Sequence, residues 1–157
     1  MKKIRLQPAS SQKRPRIMVF AEGTVLKPKS FWLHFSHRAY VPIGQAVQLL
    51  SRWEAQGADI IYCTSRKGKQ AEKIAELLQQ FSFPGNYLVA REAGEKYADL
   101  VEGLKPDVLI EDDCKSIGGA WQMCITKVEP QLKAAITSIV VPEFQGISHL
   151  PDKLQDL

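Results

Sequence analysis

The sequence predicts an α/β protein with helices on both faces of a five-stranded parallel sheet. Three observations carry that prediction. The chain has 157 residues, 45% hydrophobic and 24% charged, the size and balance of one globular domain with its own core. Five short β-rich runs punctuate it, and stretches with helical spacing of apolar residues lie between them. A strand, a helix and a second strand pack as a right-handed crossover between parallel neighbours, so the repeated alternation builds a doubly wound sheet.

The first run, residues 16–20 (RIMVF), is apolar after its first residue and closes at Glu22 and Gly23. Ile43, Ala46, Val47, Leu50 and Trp53 then share one helical face, behind Pro42 and ahead of Gly57, a proline start and a glycine stop. Residues 59–63 (DIIYC) form the second strand, closed by Thr64 and Ser65. Ala71, Ile74, Ala75, Leu78 and Phe81 make the stripe of a second helix. Residues 86–90 (NYLVA) are the third strand, followed by a helix carrying Tyr97, Leu100, Val101 and Leu104 that stops before Pro106. Residues 107–110 (DVLI) are the fourth. A short helix over 129–136 leads to the fifth, 137–141 (TSIVV), which Pro142 stops.

Charge divides the chain unevenly. Six of its 21 Lys and Arg lie in the first 16 residues, which hold no acid; the remainder carries fifteen cations against seventeen acids, a net of −2. Residues 1–15 are also rich in Ser, Gln and Pro without periodicity, so they read as a basic, disordered leader ahead of one domain over 16–157. A body of slightly negative charge argues against nucleic acid as a partner. No apolar run reaches the ~18–20 residues of a membrane span, and no apolar segment of a secretory signal follows the basic start, which points to the cytoplasm. Cys63, Cys114 and Cys124 are odd in number with no C-x-x-C pair, and free thiols are expected.

In doubly wound sheets, function gathers at the carboxyl ends of the strands. There the first strand supplies Phe20, Glu22, Gly23 and Thr24, and the second Thr64, Ser65 and Arg66. The third brings Arg91 and then Lys96, the fourth Glu111, Asp112 and Asp113. Carboxylates, hydroxyls and cations on one edge suit a phosphoryl group with a hard divalent cation such as Mg²⁺. Each piece also has an ordinary structural reading. Glu22 to Thr24 forms a turn, Thr64 and Ser65 cap a helix, Lys96 is a solvated helix residue, and the three acids lie in a solvated loop or at a helix start.

The order of these pieces resembles the motif set of the haloacid dehalogenase superfamily of phosphohydrolases and phosphotransferases. That set is an apolar strand ending in D-x-D-G-T, a second ending in Thr or Ser, a Lys ahead of the fourth strand, and a fourth ending in an acidic pair. Residues 18–25 (MVFAEGTV) match the first at Gly23 and Thr24, with Glu22 at the second Asp. Thr64 and Ser65 match the second, Lys96 the third, and residues 108–113 (VLIEDD) the fourth. The resemblance covers residues 16–142 and implies a three-layer Rossmann-like fold. It implies Mg²⁺ held by Glu22, Asp112 and Asp113, with Glu22, Thr64 and Lys96 as catalytic groups and Gly23, Thr24, Ser65 and Arg66 around the phosphate. One departure outweighs the matches. The family's nucleophile, the first Asp, is Phe20 here, and phenylalanine can neither attack phosphorus nor bind a cation.

Residues 27–41, where the family carries its cap, are too few for a folded cap domain and hold Phe31, Trp32, His34, Phe35, His37, Arg38 and Tyr40. They read either as a lip over an open site or as a loop packed on the body or on a partner. His34 and His37 lack the further ligands of a zinc site, and Cys114 lacks the His partner of a nucleophile. Two functions remain: a binder of a small phosphorylated molecule or partner without ordinary phosphatase activity, or a Mg²⁺-dependent phosphohydrolase or phosphotransferase of non-standard mechanism.

Overall fold

A computed structural model describes residues 1–5, 14–29 and 40–157. In chain order the strands and helices are β1 (Lys2–Arg5), β2 (Arg16–Phe20), β3 (Leu26–Pro28), β4 (Tyr40–Pro42), α1 (Ala46–Ala55), β5 (Asp59–Thr64), α2 (Lys69–Gln80), β6 (Tyr87–Ala90), α3 (Tyr97–Leu104), β7 (Val108–Asp112), α4 (Pro130–Ala134) and β8 (Thr137–Val141).

β2 takes the middle of the main sheet because it is apolar on both sides. Ile17 and Val19 point into one core, with Leu49, Leu50 and Trp53 of α1 and Ile74 and Leu78 of α2. Met18 points into the other, with Leu100, Val101 and Leu104 of α3. All three β2 residues are fully buried, as the two-residue period of a strand covered on both faces requires. The strand order is β1-β6-β5-β2-β7-β8. The chain runs outward from β2 through β5 to β6, then returns across the sheet to β7 and β8, and the reversal leaves β2 beside β7 at the switch point.

The architecture is α/β with helices on both faces, but the sheet is mixed and six-stranded rather than the five parallel strands expected. β1 is the addition, running antiparallel to β6 with Lys2 opposite Ala90 and Arg5 opposite Tyr87. This corrects the reading of residues 1–15 as disordered throughout; residues 6–13 lie outside the described residues. Among the described side chains of β1 only Ile4 packs on a core, and a segment with one apolar residue has no period to betray it. Its lysines suit a sheet edge: Lys2 Nζ pairs with Glu72 at 2.8 Å and Lys3 lies 5.9 Å from the Tyr87 ring centroid.

The four helices fall where periodicity placed them. Ile43, the first residue of that apolar stripe, precedes α1, which buries Ala46, Leu49, Leu50 and Trp53. A two-stranded hairpin, β3 against β4, flanks the aromatic interval, and residues 30–39 within it, including His34 and His37, lie outside the described residues. Cys63, Cys114 and Cys124 carry free thiols. Among the described residues no helix is long and apolar enough to cross a membrane.

Candidate functional site

Beyond the carboxyl ends of β2 and β7 lies a cavity of about 320 Å³. Its wall includes Phe20, Glu22 and Gly23 after β2, Ser65 and Arg66 after β5, Arg91 after β6, and Asp112 at the end of β7. Register explains the grouping. Phe20 pairs with Cys63 and Thr64 with Ala90, so the residues that follow these pairs emerge at one level of the sheet.

The turn after β2 is drawn tight by Ala21, whose carbonyl accepts the N–H groups of Val25 and Leu26 at 3.0 and 2.8 Å. That curl carries fully buried Thr24 against β7, where its hydroxyl donates to Asp112 Oδ1 at 3.2 Å. Gly23 sits between them with φ +84°, and a β-carbon there would lie 2.5 Å from Asp112 Oδ1. Only glycine accepts both the left-handed backbone and the carboxylate above it.

Glu22 turns toward β5. Thr64 Oγ1 donates to its Oε1 at 2.7 Å, and Arg66 Nε lies 3.3 Å from the same oxygen. The Thr64 hydroxyl also accepts the Arg66 N–H at 3.1 Å, so both of its functions are used within the protein. It does not cap α2, which starts five residues later behind Gly68. Burial raises the Glu22 carboxyl above its ordinary value, against the opposing pull of Thr64 and Arg66. Burial likewise raises Asp112, whose Oδ2 accepts the Cys114 N–H at 3.1 Å.

The three acids after the fourth strand separate. Glu111 sends its carboxylate to the N–H groups of Cys124 and Ile125, at 2.6 and 2.9 Å, holding the turn Ile125–Lys127. Asp113 accepts the Glu143 N–H at 3.2 Å and pairs with Lys115 Nζ at 3.1 Å, and it does not line the cavity. Glu22, Asp112 and Asp113 therefore do not converge as the expected Mg²⁺ ligands. Among the described residues no group of three His, Cys, Asp or Glu is placed to hold a metal ion. The two acids nearest the turn offer a divalent cation no shared point, because Glu22 is turned to Thr64 and Arg66 and Asp112 to Thr24 and the Cys114 N–H. Burial pushes the Cys114 thiol up to about 12, with Asp112 and Glu111 adding to it, so this cysteine stays protonated.

Lys96, expected beside the phosphate, is exposed, caps α3 and does not line the cavity; its backbone N–H donates to Asp99 Oδ2 at 2.7 Å. The cation from that part of the chain is Arg91. Its guanidinium lies 3.9 Å from the Tyr97 ring centroid, and Phe20 meets the same ring edge-on at 5.2 Å. Arg91 Nε is buried with no hydrogen-bond partner. Arg91 stood in the sequence directly after a strand, the position that marks an edge residue. Tyr97 gave no such signal, because a helix-start aromatic reads first as core. Tyr40 completes this side, its hydroxyl 3.4 Å from an Arg66 amino group. Glu143, after β8, closes the opposite rim and accepts the Ser116 N–H and hydroxyl at 2.8 and 2.6 Å.

No family model and no curated protein matches the chain. Solved structures do. The class C acid phosphatase of Bacillus anthracis with tungstate bound superposes with a TM-score of 0.56 at 18% identity, over 87% of this chain and 70% of that one. A second structure of that phosphatase gives 0.56 at 16% identity, over 90% and 76%. A chain of the Pnkp1/Rnl/Hen1 RNA repair complex gives 0.57 at 14% identity over 88% of this chain, which spans only 46% of that longer one. At these identities the likeness is one of fold, and the fold of this chain is the one on which the class C acid phosphatase is built.

Proposed function

We propose that this chain binds a small phosphorylated ligand on a phosphatase-type fold and does not turn it over through an aspartyl-phosphate. The observation that carries the reading is Phe20. It ends β2 in the cavity wall, beside the tight turn of Gly23 and Thr24, where the motif resemblance places the attacking carboxylate. Its ring has no electron pair to give phosphorus and is packed against Tyr97. Glu22, the remaining acid of that motif, is occupied by Thr64 and Arg66. What faces the cavity instead is suited to holding a phosphoryl group: the Ser65 hydroxyl and the guanidinium groups of Arg66 and Arg91. The 27–41 interval is too short for a folded cap domain. The volume suits a small molecule.

Hydrolysis of an aryl phosphate tests this reading. The unaltered chain is expected to show no turnover above background with or without Mg²⁺. The double variant Phe20→Asp with Glu22→Asp rebuilds the D-x-D pattern and, with saturating Mg²⁺, is expected to gain ~10²-fold or more over the parent. Turnover by the unaltered chain at ~1 s⁻¹ or faster, an ordinary enzymatic rate, would overturn the proposal.

A further inference from the structure

The cavity wall contains four acids and two arginines, and the acids are already satisfied from within the protein. Glu22 has Thr64 and Arg66, Asp112 has Thr24 and the Cys114 N–H, Glu111 has two backbone N–H groups, and Glu143 has Ser116. Arg91 differs. Its Nε is buried without an acceptor, as is that of Arg66, which meets Glu22 only as an ion-pair contact at 3.3 Å, and the Arg91 guanidinium lies 3.9 Å from the Tyr97 ring centroid. A buried donor left unpaired is costly, and an anion in the cavity supplies the acceptor it lacks. Arg66 is also held in place, between Glu22 at 3.3 Å and the Tyr40 hydroxyl at 3.4 Å, and lines the same cavity.

We infer that the phosphoryl group is held without a metal ion, by the paired guanidinium groups of Arg66 and Arg91. This rests on the phosphoryl-ligand reading above and adds how the charge is met. A divalent cation neutralises a phosphate through oxygen ligands turned on one point, and among the described residues no group of three His, Cys, Asp or Glu provides one. Two planar guanidinium groups neutralise the same dianion through hydrogen bonds, and their forked geometry matches phosphate oxygens where a lysine offers only a point charge. Stacking on Tyr97 preorganises Arg91, so little side-chain freedom is left to lose on binding.

Equilibrium dialysis of the full chain against phenyl phosphate and inorganic phosphate, once in excess EDTA and once in millimolar Mg²⁺, decides the matter. The dissociation constants are expected to agree within ~2-fold between the two conditions, and Arg91→Met or Arg66→Met to weaken binding by ~10-fold or more. Binding that needs Mg²⁺ would overturn the metal-free site and leave the ligand reading standing. Absence of binding in both conditions would remove both. Unaltered affinity in an Arg91→Met protein that melts like the parent would put the anion elsewhere and overturn the inference. The comparison of EDTA with Mg²⁺ uses the unaltered chain, so it decides even if a variant fails to fold.

Discussion

Gly23 and Asp112 meet so closely that neither can change without moving the other. A β-carbon at Gly23 would lie 2.5 Å from the carboxylate, on a backbone whose φ is +84°. Gly23→Ala is therefore expected to cost ~1–3 kcal/mol, read as a lower urea midpoint, and to weaken ligand binding through the displaced Asp112. Glu22 is a case of charge. Its carboxyl is raised by burial, so above 4.5 the folded protein keeps a proton that the unfolded chain has released. The sign follows: its contribution is most favourable below 4.5 and is lost as pH rises through the raised value. Measured against Glu22→Gln, which does not titrate, the unaltered chain should lose relative stability over that window; a difference constant with pH would contradict the buried placement. The choice of cation was the point at which sequence order misled. Lys96 stands in the expected order, but capping α3 leaves it exposed, whereas Arg91 follows β6 directly into the cavity. Lys96→Met should leave phosphate binding unchanged.

At the scale of elements, the period of a strand explains why an acidic run did not become a metal site. Neighbours on β7 point to opposite faces, so Glu111 and Asp112 both border the cavity but turn their carboxylates to different partners. Glu111 instead holds two N–H groups on the face covered by α3, at 2.6 and 2.9 Å. Glu111→Gln keeps one acceptor and sets an NH₂ against the other N–H, at an expected cost of ~1–3 kcal/mol by denaturant titration. β1 was invisible for a different reason, since four residues with one apolar side chain carry no period. It still covers the edge of β6. Deleting residues 1–13 should lower the melting temperature by a few degrees, at ~2–4 °C per kcal/mol for a chain of this size. An unchanged melting temperature would show that β1 contributes nothing to the fold.

For the whole molecule, strands β2, β5, β6 and β7 and helices α1 to α3 could be read from apolar spacing, because each buries a face whose period survives in the sequence, whereas β8 buries only Val141 and α4 no residue. The location of the site followed from topology alone, since a doubly wound sheet leaves a crevice at the carboxyl ends of β2 and β7, where the connections run to opposite sides. The composition of the site did not. Which side chains reach the cavity depends on turns such as the curl onto Ala21, and on stacking between Tyr97, Arg91 and Phe20, and neither has a sequence period. The central claim is the proposal that this chain holds a phosphorylated ligand without cleaving it. The most direct test is to incubate the purified chain with phenyl phosphate, separate bound from free, and identify what the protein holds by mass spectrometry. Intact phenyl phosphate, saturating at one per chain with no phenol released and no mass added covalently to the protein, is the result expected. Phenol in the supernatant, or a phosphorylated chain, would contradict the claim.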